Sequence, residues 1–126
     1  MSFARVSARG FRRGEEQMAA VVVYVTCGSK DEAERIGRAV VEARLAACAN
    51  VWPPIASIYW WQGKMETAGE HALILKTRQE LVQDVVAEVG RRHSYECPCV
   101  VALPILDGNP DYLAWIAAET RKGDGP

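Results

Sequence analysis

The chain has 126 residues, 49% hydrophobic and 25% charged, enough for one domain built on one apolar core. Fifteen lysines and arginines against 16 aspartates and glutamates leave a formal net charge of −1, which gives no electrostatic attraction to nucleic acid or to an anionic membrane. The longest apolar run, Met18 to Val25, is far too short to span a bilayer, and four cysteines (Cys27, Cys48, Cys97, Cys99) are not needed as disulfide staples, so a soluble cytoplasmic protein in a reducing compartment is expected.

Residues 1–17 carry four arginines, no acid before Glu15 and little periodicity. They read as a disordered N-terminal extension, with a transit segment or a true start at Met18 as alternatives. The domain is expected over 18–120 and a flexible tail over 121–126. Ala19 to Thr26 is β-branched and stops at Cys27-Gly28, the mark of a buried strand. Ser29 to Glu32 fits a capping box, in which Glu32 reaches back to the cap amide. Ala33, Ile36, Gly37, Val40, Val41 and Leu45 then share a helical face, extending the helix to about Ala47.

Ser57 to Thr67 follows a Pro53-Pro54 pair that suits a bend or an edge. Tyr59 and Trp61 point to one side of this strand, Ile58 and Trp60 to the other. Gln62-Gly63 supplies a hairpin turn, and His71 to Thr77 the return strand. Thr77 to Glu80 reads as a second capping box before an amphipathic helix of Leu81, Val82, Val85, Val86 and Val89. That helix ends on Arg91-Arg92-His93, cations that suit its negative pole. Pro98 to Ile105 is the last strand, and Asn109 with Pro110 starts a third helix.

The order β-α-β-β-α-β plus one helix predicts an α+β, ferredoxin-like sandwich with both main helices on one sheet face. Tyr59, Trp60 and Trp61 are too much aromatic area to leave wet, so the extended hairpin calls for a partner subunit.

The stretches DEAERIGRAVVEARLAACANV, SIYWWQGKME, LILKT, RHSYECP, ALPI and NPDYLAW resemble the CutA divalent-cation tolerance family, over Val21 to Trp115. The resemblance implies a ferredoxin-like homotrimer assembled through its hairpin, here with Trp60, Gly63 and Lys64. It also implies a role in tolerance to copper and other divalent cations. The plan is similar to trimeric PII-type signalling proteins, whose small ligands bind between subunits. Here such an intersubunit cleft would draw on Tyr59, Trp61, Lys76, Tyr95 and Glu96. In copper-binding members a cysteine late in the first strand is implicated; this chain has Val25 there and Cys27 two residues on. Of the family's usual histidine pair only His93 is present, beside Arg92. Ser94 replaces the following proline, and Cys99 stands where Pro-Glu is common.

The run HSYECPC therefore has two readings. Cys97 and Cys99 pack as small apolar groups at the start of a strand. Alternatively, as residues two apart on one strand face, they join His93, with Cys27, in a thiol-rich site for Cu(I) or Zn(II). Cys48 is expected in the core, and His71 at the surface or an interface. No Ser-His-Asp set or phosphate-binding glycine loop is present, so catalysis is not expected. The RNA-recognition alternative lacks base-stacking aromatics on the central strands. Two functions remain: metal binding in cation tolerance, or a PII-like sensor that binds a small ligand between subunits.

Overall fold

The computed structural model describes residues 19–122. The expectations for residues 1–17 and for 123–126 lie outside the described residues. β1 (Ala20–Cys27) pairs antiparallel with β3 (Lys64–Arg78) on one side and β4 (Val100–Pro104) on the other, and β2 (Cys48–Trp61) completes the order β2-β3-β1-β4. This is the ferredoxin-like arrangement, with VVVYV and HALILKT central as the sequence indicates. α1 (Lys30–Glu42), α2 (Val82–Arg92) and α3 (Pro110–Glu119) complete the chain.

Alternation along β1 sends Val21, Val23, Val25 and Cys27 into one core with Ile36 and Val40 of α1, Val85 and Val89 of α2, and Leu73 and Leu75 of β3. A Cβ on Gly37 would lie 3.0 Å from Ala49 Cβ and 3.1 Å from Leu73 Cδ1, so the missing side chain lets α1 sit close on the sheet. A smaller cluster of Ala47, Trp115 and Ile116 fixes α3.

Several boundaries differ from expectation. α1 ends at Glu42, not near Ala47. Arg44 takes φ 61°, its amide bonds Val41 O at 3.0 Å, and the Leu45 amide bonds Val40 O at 3.1 Å. This is a Schellman closure with arginine in the position glycine usually takes. Buried Leu45 and Val40 are its apolar contact. Cys48 consequently opens β2 rather than ending the helix, half-buried with its Sγ 3.6 Å from the Tyr112 hydroxyl.

The Thr77 capping box does not form. β3 keeps pairing with β1 as far as Arg78 opposite Ala20, so Thr77 is a buried strand residue whose hydroxyl donates to Leu45 O at 2.6 Å. A single 3-10 turn, Gln79–Leu81, leads into α2 instead. At Ser29 only half of the box forms: the Glu32 amide donates to Ser29 Oγ at 3.1 Å, while the Glu32 carboxylate bonds the Gly28 amide instead of the cap amide.

β2 runs through the two prolines with a register shift between Val51 and Pro54, which makes it the bulged edge strand that Pro-Pro requires. β3 begins at Lys64, seven residues before the expected His71. Residues 55–61 and 64–70 therefore project beyond β1 as a two-stranded arm closed by Gln62 (φ 50°) and Gly63 (φ 79°). Both turn residues have the positive φ of a type I′ hairpin. Trp60 is 74% exposed and Trp61 61%, and Val101 and Leu103 are exposed on β4. No helix among the described residues is long and apolar enough to cross a membrane.

Candidate metal centre

β1 ends, α1 begins and α2 ends at the same end of the sheet, and this places Cys27, Glu32 and His93 together. Their ligand atoms (thiol, carboxylate, imidazole) all lie within 4.8 Å of one another. It is the group of three or more potential metal ligands so placed among the described residues.

Glu32 is the third residue of α1, where capping geometry turns its carboxylate back along the chain. It does not reach the Ser29 amide. Oε1 accepts from the Gly28 amide at 3.2 Å, and Oε2 accepts from the Ser94 amide at 2.8 Å. Burial pushes its carboxyl up, but the Ser94 and Gly28 hydrogen bonds, with nearby His93, outweigh that and hold it below 4.5. It is a buried carboxylate fixed by two backbone donors.

His93 caps the C-terminus of α2, its amide bonded to Val89 O at 2.9 Å. Its side chain is fully buried. Nε2 lies 2.8 Å from Thr26 O, and the Tyr95 amide donates to Nδ1 at 3.0 Å. These partners assign the proton to Nε2 and the lone pair to Nδ1, which is 4.0 Å from Glu32 Oε2. A backbone carbonyl that holds one ring N–H fixes the tautomer and leaves the other nitrogen's lone pair facing its neighbours, as metal-ligating histidines are commonly held. An ion drawing on Nδ1 competes with the Tyr95 amide.

Cys27 is fully buried. Burial first, then the Glu32 and Glu70 carboxylates, push its thiol up to about 11, with Arg35 opposing. It is a protonated thiol at neutral pH unless a cation replaces the proton. Thiolate, imidazole and carboxylate together suit Zn(II) or copper, and the thiolate disfavours magnesium or calcium.

Of the four expected ligands, Cys27 and His93 meet. Cys97 and Cys99 do not join them: both lie in the loop before β4, exposed, and so share no strand face. Partial desolvation of the sulfur, then the Glu70 carboxylate, push the Cys99 thiol up, with Thr26 opposing. Glu32 carried only a capping role in the sequence, because its contact to Ser94 spans 62 residues.

The expected cleft residues are dispersed within one subunit. The Tyr95 hydroxyl donates to Glu70 Oε2 at 2.9 Å and lies over Gly28. Burial, then the Glu70 bond and charge, push that hydroxyl up to about 12. Lys76 donates to Asn50 Oδ1 at 2.9 Å and stands 5.6 Å over the Tyr112 ring. It is six residues along β3 from Glu70, about 20 Å at strand rise. Tyr59 and Trp61 are on the arm, and Glu96 is exposed in the loop.

A ferredoxin-like sheet with a projecting hairpin and a buried thiol–imidazole–carboxylate group defines a small α+β protein with a candidate cation site. The chain belongs to the CutA1 divalent ion tolerance protein family, whose profile matches residues 21–119. It is 43% identical over 102 residues to the chloroplastic CutA 1 of Oryza sativa, covering 81% of this chain and 58% of the relative. It is 48% identical over 94 residues to the divalent-cation tolerance protein CutA of Archaeoglobus fulgidus, covering 75% and 91%. The chain thus spans little more than half of the plant relative. The crystal structure of CutA1 from Oryza sativa superposes with TM-score 0.83 at 41% identity, covering 86% of this chain and 99% of that one. The divalent cation tolerance protein of Thermus thermophilus superposes at 0.79 and 40% identity, covering 81% and 99%.

Proposed function

We propose that the chain binds a divalent or soft metal ion, copper or zinc, at Cys27, Glu32 and His93, in a cation-tolerance role and by binding rather than catalysis. The observation that carries this reading is the convergence of three buried ligand types within 4.8 Å. The relatives' names, divalent-cation tolerance proteins, point the same way. Four cysteines without a disulfide suit a reducing, cytoplasmic setting.

The working unit we propose is a homotrimer. The exposed aromatic arm, with Trp60, Gly63 and Lys64 at its tip, and the uncovered Val101 and Leu103 supply apolar area for subunit contacts. In one chain Trp61 is 61% exposed, so its truncation alone should cost little. Native mass and thermal melting of Trp61→Ala test the assembly. Loss of the trimer with a destabilisation of about 3 kcal/mol or more supports it. An unchanged mass and melting temperature remove Trp61 from any interface.

Anaerobic titration of reduced protein with Cu(I) and Zn(II) against a competing chelator tests the site. Cys27→Ser should lose binding, and Cys97→Ser/Cys99→Ser should keep it. The reverse pattern would move the site to the exposed loop. Saturable uptake of a nucleotide or metabolite, with no metal bound, would favour the PII-like reading instead.

A further inference from the structure

His71 stands directly opposite Cys27 in the β1–β3 ladder. Opposed residues on adjacent strands point to the same side of a sheet, with Cβ atoms about 4.5–5.5 Å apart. The neighbouring pairs on that side, Val25 with Leu73 and Val23 with Leu75, are fully buried under the helices. His71 is therefore on the helix-covered side, at the end that holds Glu32 and His93. Its Nδ1 is buried and has no hydrogen-bond partner, the one buried side-chain nitrogen or oxygen so left among the described residues. Leaving such a group unpaired forfeits its hydration without replacement. The carboxylate and the other imidazole at this end are paired: Glu32 holds two amides, and both nitrogens of His93 are engaged.

We propose that His71 is a fourth ligand of the Cys27–Glu32–His93 group, giving a tetrahedral site of one thiolate, two imidazoles and one carboxylate. The inference rests on the reading of those three residues as a metal site. The His71 ring lies outside the group gathered within 4.8 Å. In a tetrahedral zinc site, bonds of about 2.0–2.3 Å put ligand atoms roughly 3.5 Å apart. Rotation about χ1 and χ2 is the movement required, since pairing with β1 already fixes the His71 backbone beside Cys27. The four ligands come from β1, β3, the first turn of α1 and the cap of α2, so the secondary structure presets their positions. Charge favours a divalent ion. One thiolate and one carboxylate neutralise a 2+ cation, whereas Cu(I) would leave a buried net negative charge. On binding, the Cys27 thiol proton leaves to solvent, and both imidazoles enter neutral.

The test is titration of the full chain with Zn(II) against a chromophoric chelator, and with Co(II) as the spectroscopic probe. His71→Ala and His71→Asn should each weaken zinc binding about 10- to 100-fold. They should also weaken the visible bands of four-coordinate Co(II) as water enters. If both variants bind as tightly as wild type with the same spectrum, while Cys27→Ser does not bind, His71 is not a ligand and the three-residue site stands. If wild type takes up no ion, or Cys27→Ser binds equally, both readings fall. Zinc-edge X-ray absorption of the wild-type protein decides the point without any variant. One sulfur and two imidazoles are expected, and a single imidazole overturns the inference.

Discussion

The two ends of the sheet both bury polar side chains, and they use them differently. Where β3 meets the chain's C-terminal segment, Arg78 donates through Nε to Thr120 Oγ1 at 2.8 Å, pairs with Glu80 and caps the Arg121 carbonyl. The Arg121 amide in turn bonds Arg44 O at 2.9 Å, and Arg44 reaches Glu119 at 3.3 Å. Each of these donors meets an acceptor of the same subunit. At the other end the Cys27 thiol and the buried Nδ1 of His71 offer ligand capacity that the fold does not consume. The first end is a clamp. The second has the chemistry of a site.

The largest expected effect tests the clamp. Arg78→Met should destabilise the protein by about 3 kcal/mol in chemical denaturation, with metal uptake unchanged. A small loss would mean that the buried guanidinium is not a structural centre. Next is Glu32→Gln, which removes a charge-assisted acceptor and should cost about 2 kcal/mol at neutral pH. The carboxyl is held below its ordinary 4.5. Its contribution is therefore present above that value and is lost as pH falls through the folded-state value. Wild type and variant should be furthest apart near pH 7 and converge as pH falls through that lowered folded-state value; a constant gap would contradict the charge assignment. Tyr95→Phe deletes the bond to Glu70 and should cost about 1 kcal/mol, measured by the urea midpoint. The smallest change is expected from Arg44→Gly. Relief of the positive φ and loss of the exposed Glu119 contact should nearly cancel, leaving stability within about 1 kcal/mol of wild type.

The fold was largely legible because its signals are local. β1, the Ser29 cap, the Gln62-Gly63 turn and the Asn109-Pro110 start all lie where the sequence points. Two identical-looking boxes had different fates for a non-local reason. Ser29 follows the end of β1 and is free to cap, whereas Thr77 is still inside the ladder with β1, and its hydroxyl is taken by Leu45, 32 residues away. Arg44 hid the end of α1, since a non-glycine residue with positive φ carries no sequence mark. The site was half legible. Soft ligands drew attention to HSYECPC, but two-residue spacing bears on geometry only inside a strand, and β4 starts at Val100. Glu32 and the Cys27–His71 pairing depend on strand register and helix docking, which no short window of sequence contains.

The prolines of β2 set a limit on growth. Pro53 and Pro54 are consecutive on an edge strand, and neither has an amide proton. A strand from another molecule that adds along this edge from the turn finds an unbroken run only over Ile55–Trp61, seven positions, about 23 Å. Beyond that the zipper stops, because the bulge bends the edge away and the donors are missing. A chain with three adjacent exposed aromatics on an open strand would otherwise invite endless stacking. This terminator lets the sticky arm be used for finite, closed association without becoming the seed of a fibre.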